Sequence, residues 1–147
     1  MVTITSKSEG ETEALAQEIG RRLVPGDVIA FSGGLGAGKT CFVRGLARGL
    51  GLTNPVSSPT FALVNEYRGK SVTLCHFDLY RITDVDDLYS IGFFDYLDGQ
   101  AVLAIEWSER FRDVLPQGTI DVKIERVDDS TREITVKGDG RFDDLRA

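Results

Sequence analysis

A chain of 147 residues, 41% apolar or aromatic and 27% charged, suits one domain that buries roughly 70% of its unfolded surface. Its net charge of −6 argues against a free-standing nucleic-acid binder, which needs a basic surface to neutralise phosphates. No apolar run approaches a membrane span, Met1 to Glu18 has no signal-peptide profile, and the two cysteines, Cys41 and Cys75, lack metal-ligand spacing, so a cytoplasmic protein with reduced thiols is expected.

Val2 and Ile4 alternate with polar neighbours, as in a short edge strand. Glu11 to Leu23 reads as a helix with Leu15, Ile19 and Leu23 on one face, and Ser8 and Glu11 have capping-box spacing at its start. Pro25-Gly26-Asp27 is a turn, and Val28 to Phe31 is a continuously apolar strand. Straight after it comes GGLGAGKT, comprising Gly33, Gly34, Leu35, Gly36, Ala37, Gly38, Lys39 and Thr40, which fits the phosphate-binding pattern G-x-x-x-x-G-K-[ST]. The glycines let backbone N–H groups turn inward around an anion. Lys39 offers a point charge to β- and γ-phosphates, and the Thr40 hydroxyl is placed to ligate Mg²⁺. Lys39 to Leu50 continues as a helix with Phe42, Leu46 and Leu50 as its apolar stripe and Gly51 as C-cap, and its N-terminal dipole lies behind the phosphates.

A loop carrying Asn54-Pro55 and Ser57-Ser58-Pro59 follows. Phe61 to Tyr67 and Val72 to Tyr80 read as strands of a hairpin turning at Arg68-Gly69-Lys70. Asp84 opens a helical stretch with Leu88 and Ile91 inward. Ala101 to Ile105 is apolar throughout, as a strand covered on both faces would be, and Glu106 ends it. Thr119 to Val127 and Arg132 to Lys137 form a second hairpin around Asp128-Asp129-Ser130, and the polar tail from Gly138 is expected to fray. This order predicts an α/β fold: a single P-loop NTPase-like domain whose mixed parallel and antiparallel sheet is flanked by helices.

A P-loop hydrolase also needs a carboxylate at the end of a neighbouring strand to hold Mg²⁺. Glu106 follows the more apolar run and is assigned to the metal, whereas Asp78, in LCHFDLYR, is given a role near the γ-phosphate or in fixing a switch-like loop. His76, the only histidine, should face the same side of its strand as Asp78, either as a hydrogen-bonded structural group or as a catalytic one. Trp107 has three readings: stacking on a ligand, packing in the core or facing a partner. Ser57, Ser58 and Thr60 lie where a switch loop would reach Mg²⁺ or the γ-phosphate. The chain contains neither the N-K-x-D nor the D-x-x-G pattern of GTPases, so ATP is the expected nucleotide. A small-molecule kinase is the alternative, with Arg110 and Arg112 as the late lid arginines such an enzyme would need.

Taken in order, GGLGAGKT, SSPTFALVNEY, HFDLYR and IEW resemble the TsaE family, also called YjeE, of ATPases needed for N6-threonylcarbamoyladenosine modification of tRNA in bacteria. The resemblance runs from about Ser8 to about Lys137. It implies hydrolysis of Mg-ATP, weak when the protein is alone, and docking onto a TsaD-type transferase with its TsaB-type partner. The tRNA is then handled through those partners, and ATP turnover resets the transferase. It further implies that Gly33 to Thr40 hold the phosphates, that Thr40 and Glu106 hold Mg²⁺, and that Thr60 belongs to the switch-like loop. By the same resemblance, Lys39, Asp78 and Glu106 act in catalysis and Trp107 in activity or assembly, while Glu9, Thr12, Cys41 and Arg132 lie around the nucleotide. Cys41 and Ser108 depart from the residues common in relatives, a small hydroxyl and a proline.

Overall fold

The computed structural model describes residues 1–34, 37–53, 56 and 63–146. Along the chain lie β1 (Val2–Ser6), α1 (Glu9–Arg21), β2 (Val28–Ser32), α2 (Lys39–Gly49), β3 (Val64–Arg68) and β4 (Thr73–Asp78). There follow α3 (Val85–Ser90), β5 (Val102–Glu106), β6 (Ile120–Arg126) and β7 (Arg132–Lys137), with 3₁₀ turns at Phe93–Leu97 and Glu109–Val114. The strands form one seven-stranded sheet in the order β1-β7-β6-β2-β5-β4-β3. Its centre, β6-β2-β5-β4, is parallel, and the hairpin partners β7 and β3 and the edge strand β1 are antiparallel to their neighbours. The mixed α/β sheet expected from the sequence is therefore present.

Both faces of the sheet are covered, and this is why β5 is buried at every residue. Ile29, Phe31, Val102, Ala104, Val122 and Ile124 point into the core beneath α1 and α2. Val28, Ala30, Cys75, Phe77, Leu103 and Ile105 point into a second core under α3 and the 3₁₀ turns. Burial pushes the Cys75 thiol up to about 11, so it stays protonated in its strand.

The helices α1 and α2 cross at very short range because glycines line the crossing. A Cβ on Gly45 would come within 2.5 Å of Ala16 Cβ and of the Glu13 carbonyl, and one on Gly49 would strike the Gln17 carbonyl. Glu13 adds ion pairs to Arg44 and Arg48 across the same seam. The cap of α1 differs from the expected box in one detail. Ser8 Oγ accepts from Glu11 N–H at 3.0 Å, but the Glu11 carboxylate accepts from Lys7 N–H at 2.6 Å rather than from the cap residue itself. The helix accordingly begins at Glu9, and Leu23 lies beyond its end though still buried.

Two expectations are corrected. Strand β4 stops at Asp78 rather than Tyr80, because Asp78 Oδ1 accepts from Tyr80 N–H at 3.0 Å and turns the chain out of the sheet. The tail does not fray: Phe142 and Leu145 are buried in the α1/α2 core. Arg141 clamps the Asp27 carboxylate with bonds of 2.8 and 3.0 Å, while Arg22 reaches back to the Arg141 carbonyl at 2.7 Å and to Asp144 at 2.6 Å. Two apolar residues at helical spacing suffice to dock an otherwise polar segment. The expected strand start at Phe61 lies outside the described residues.

Candidate functional site

The parallel strands β2, β4, β5 and β6 all run toward one rim of the sheet, the position at which open α/β sheets form their crevice. A cleft of about 650 Å³ opens there. Strand alternation decides which side chains enter it. In the β4/β5 register Leu74 pairs with Val102, His76 with Ala104 and Asp78 with Glu106. Leu74, Val102 and Ala104 face α1 and α2, so His76, Asp78 and Glu106 share that face by the two-residue period.

From the opposite wall, α2 brings its N-terminus. Its cap residue, Gly38, has φ 103° and offers no side chain, so the first-turn N–H groups have no side-chain cap. Phosphate or another anion would suit these donors and the aligned dipole behind them. Gly33, at φ 127°, packs so closely on β6 that any Cβ would collide with the Ile124 carbonyl. It shapes the loop from behind and does not line the cleft.

Lys39 is buried, 7% exposed, and its Nζ lies 4.2 Å from the centroid of the Trp107 ring. Trp107 itself is half-buried, with Tyr80 4.9 Å away on its ring and a backbone φ of 60°. A non-glycine residue held in that region stores about 1–3 kcal/mol of strain, a feature that clusters at binding and catalytic sites. Glu106 is 6% exposed, and its Oε2 lies 2.6 Å from Nε2 of the fully buried His76. The two motif segments are joined a second time where Leu79 N–H donates to the Glu106 carbonyl at 3.1 Å.

The remaining walls come from α1 and the β6–β7 hairpin. Thr12 Oγ1 is 2.6 Å from Ser6 Oγ, and Cys41 Sγ lies 3.5 Å from the Glu9 carbonyl, tying the starts of α1 and α2 together. Burial raises the Cys41 thiol above its ordinary range. Arg132 Nε donates to the Ala37 carbonyl at 3.0 Å and its Nη1 to the Asp128 carbonyl at 2.7 Å, which braces the glycine loop against the hairpin.

Of the residues singled out in the sequence, Glu9, Thr12, Gly34, Ala37, Gly38, Lys39, Thr40, Cys41, Asp78, Glu106, Trp107 and Arg132 all line this one cleft. Leu35, Gly36, Ser57, Ser58 and Thr60 lie outside the described residues. The sequence reading missed Ser8, Arg44, Asp129 and Ser130 as lining residues. Ser8 reads as a helix cap and Asp128-Asp129-Ser130 as a turn, and both readings are right locally; only the sheet order places them on the cleft. Arg110 and Arg112 do not reach it. Arg110 donates to the Ile82 carbonyl at 2.8 Å, and Arg112 pairs with Asp121 at 3.0 Å.

Among the described residues no three His, Cys, Asp or Glu side chains gather as a cation cage. One hydroxyl and one or two carboxylates facing an anion site are nonetheless the donors that Mg²⁺ uses when phosphate oxygens and water complete its octahedron. Thr40, Asp78 and Glu106 supply that set here. Among the described residues no helix is long and apolar enough to cross a membrane.

Residues 6–134 match the family model described as Threonylcarbamoyl adenosine biosynthesis protein TsaE. Proteins named tRNA threonylcarbamoyladenosine biosynthesis protein TsaE are similar over most of their length. That of Treponema pallidum is 42% identical over 131 residues, covering 89% of this chain and 96% of the relative. That of Bacillus subtilis is 42% identical over 125 residues, covering 85% of this chain and 78% of the relative. The crystal structure of Bacillus subtilis YdiB superposes with a TM-score of 0.77 at 35% identity, covering 95% of this chain and 86% of that one.

Proposed function

The chain belongs to the TsaE family of tRNA threonylcarbamoyladenosine biosynthesis proteins, and from that premise we propose that it is an ATPase subunit that binds and hydrolyses Mg-ATP. The observation that carries this reading is the cleft itself, where an uncapped helix start, Lys39, Thr40, Asp78 and Glu106 converge on a volume of about 650 Å³. In this reading the N–H groups at the start of α2 and the Lys39 ammonium hold the β- and γ-phosphates. Thr40 and Glu106 hold Mg²⁺, and Asp78 lies next to the γ-phosphate. When bound there, the ion would supply positive charge to offset that of the phosphate oxygens. Arg132 and the hairpin residues Asp129 and Ser130 close the side of the cleft away from β4 and β5, where the nucleoside fits.

The family role implies partners that carry the tRNA chemistry, and we assign ATP binding and turnover to resetting a TsaD-type transferase paired with a TsaB-type protein. The net charge of −6 supports contact with tRNA only through those proteins. Among P-loop readings, a small-molecule kinase is disfavoured because both late arginines are engaged outside the cleft. Calorimetry with Mg-ATP tests the proposal: the parent protein takes up nucleotide, and Lys39→Ala loses at least tenfold in affinity. Absence of binding by folded parent protein would refute it. Release of free phosphate from labelled ATP in a metabolite pool, with no phosphorylated metabolite, separates the ATPase from the kinase. Recovery of a transferase pair on the ATP-loaded protein tests the assembly.

A further inference from the structure

We infer that His76 is the residue that positions Glu106: it donates Nε2–H to Glu106 Oε2 and so presents the other carboxylate oxygen, Oε1, to the divalent ion. The inference rests on the Mg-ATP reading above and names a role that reading leaves open. Four observations carry it. The Nε2–Oε2 distance of 2.6 Å is short for an N–H···O hydrogen bond, so the two groups are in direct contact with no water between them. The histidine is fully buried and the glutamate is 6% exposed, so neither side chain has bulk water to hold it in place. His76 Nδ1 is buried with no hydrogen-bond partner among the described residues.

That third point fixes the tautomer. A proton on Nδ1 would leave a buried N–H without an acceptor and would set the bare Nε2 lone pair against a carboxylate oxygen 2.6 Å away. With the proton on Nε2 the only unmet group is a weak acceptor. The fourth observation is the register. His76 pairs with Ala104, one alternation short of the Asp78–Glu106 pair, so Glu106 is the diagonal neighbour of His76 on the same face, and β4 and β5 hold both backbones fixed. A carboxylate with one oxygen engaged by a buried ring is held against rotation, and its other oxygen is the one left free for an ion. Hydrogen bonds of this kind to metal ligands change metal affinity by about 10- to 100-fold.

The test uses Mn²⁺ in place of Mg²⁺ with a non-hydrolysable ATP analogue, its retention read by electron paramagnetic resonance, and compares analogue binding in EDTA. His76→Leu should weaken Mn²⁺ retention by about tenfold or more while metal-free analogue affinity stays within about twofold. His76→Gln, whose amide N–H₂ reaches the Nε2 position, should restore most of the loss. If His76→Leu fails to fold, His76→Asn, whose amide stops short of Glu106, replaces it against His76→Gln. Nitrogen NMR of the single histidine should show the Nε2–H tautomer. Unchanged Mn²⁺ retention in His76→Leu, equal losses in the leucine and glutamine variants, or an Nδ1–H tautomer would each overturn the inference with the Mg-ATP reading intact. Parent protein that binds no Mn²⁺ with the analogue would overturn both.

Discussion

Lys39 Nζ sits over the indole face of Trp107, 4.2 Å from the ring centroid, so the ammonium expected to grip phosphate already has a partner. With the ammonium almost buried and the ring half-buried, this cation–π contact contributes about 1–2 kcal/mol. Anion binding has to draw Lys39 away from the ring. Trp107 is the only tryptophan, so its emission should change when inorganic tripolyphosphate binds, with no nucleoside required. Trp107→Leu should then bind tripolyphosphate about 5- to 30-fold more tightly by calorimetry. Weaker binding in that variant would mean that the ring supports the bound anion instead of competing for Lys39.

Glu106→Gln keeps the shape of the side chain and an oxygen that can accept from His76 Nε2–H, but it removes the charge. Affinity for ATP in EDTA should stay within about twofold, and Mg²⁺-dependent phosphate release should fall about 100-fold. Turnover at the parental rate would remove Glu106 from the metal site.

Replacing Gly45 by alanine sets helix propensity against close packing. The new methyl gains about 1 kcal/mol of propensity, but it must enter a seam where Ala16 Cβ and the Glu13 carbonyl lie only 2.5 Å from its position. Overpacking of this kind costs about 1–3 kcal/mol and forces the helices apart. Chemical denaturation should show Gly45→Ala less stable than the parent. Gly10→Ala, with no neighbour nearer than Ser8 Oγ at 3.8 Å, should be about 0.5 kcal/mol more stable.

The tail provides a pH test. Hydrogen bonds from Arg22 hold the Asp144 carboxyl below its ordinary range, and those from Arg141 do the same for Asp139. A carboxyl whose folded value is depressed contributes stability above its unfolded value, near 3.9, and loses it as pH falls through the lower folded value. Docking should therefore survive at pH 5 and be released as pH falls below about 4. Methyl NMR of Leu145, buried at 3% exposure, reads the release directly. Arg141→Ala should move the onset to higher pH. Detachment on raising the pH from 5 to 8 would contradict this account.

Much of this architecture is legible in local patterns. Val28 to Phe31 followed by GGLGAGKT announces a strand, loop and helix, and the alternation in Thr119–Val127 and Arg132–Lys137 gives the second hairpin. Local patterns do not encode which strands are neighbours. His76 and Glu106 each attract attention alone, yet their contact exists only because β4 lies beside β5. The same gap hides Asp129 and Ser130, whose letters spell a turn and nothing more. The docking of the tail is hidden for another reason: Phe142 and Leu145 are too few to stand out from the glycines, acids and arginines around them, though two buried side chains contribute several kcal/mol in total, about 1.5–3 each.

The glycine-lined seam between α1 and α2 has one more consequence. With so little slack between their backbones, the two helices form a single rigid lever whose tips, Ser8 to Thr12 on one and Gly38 to Cys41 on the other, flank the same cleft. Because close-packed interfaces transmit strain, a change forced on one tip should also be felt at the other.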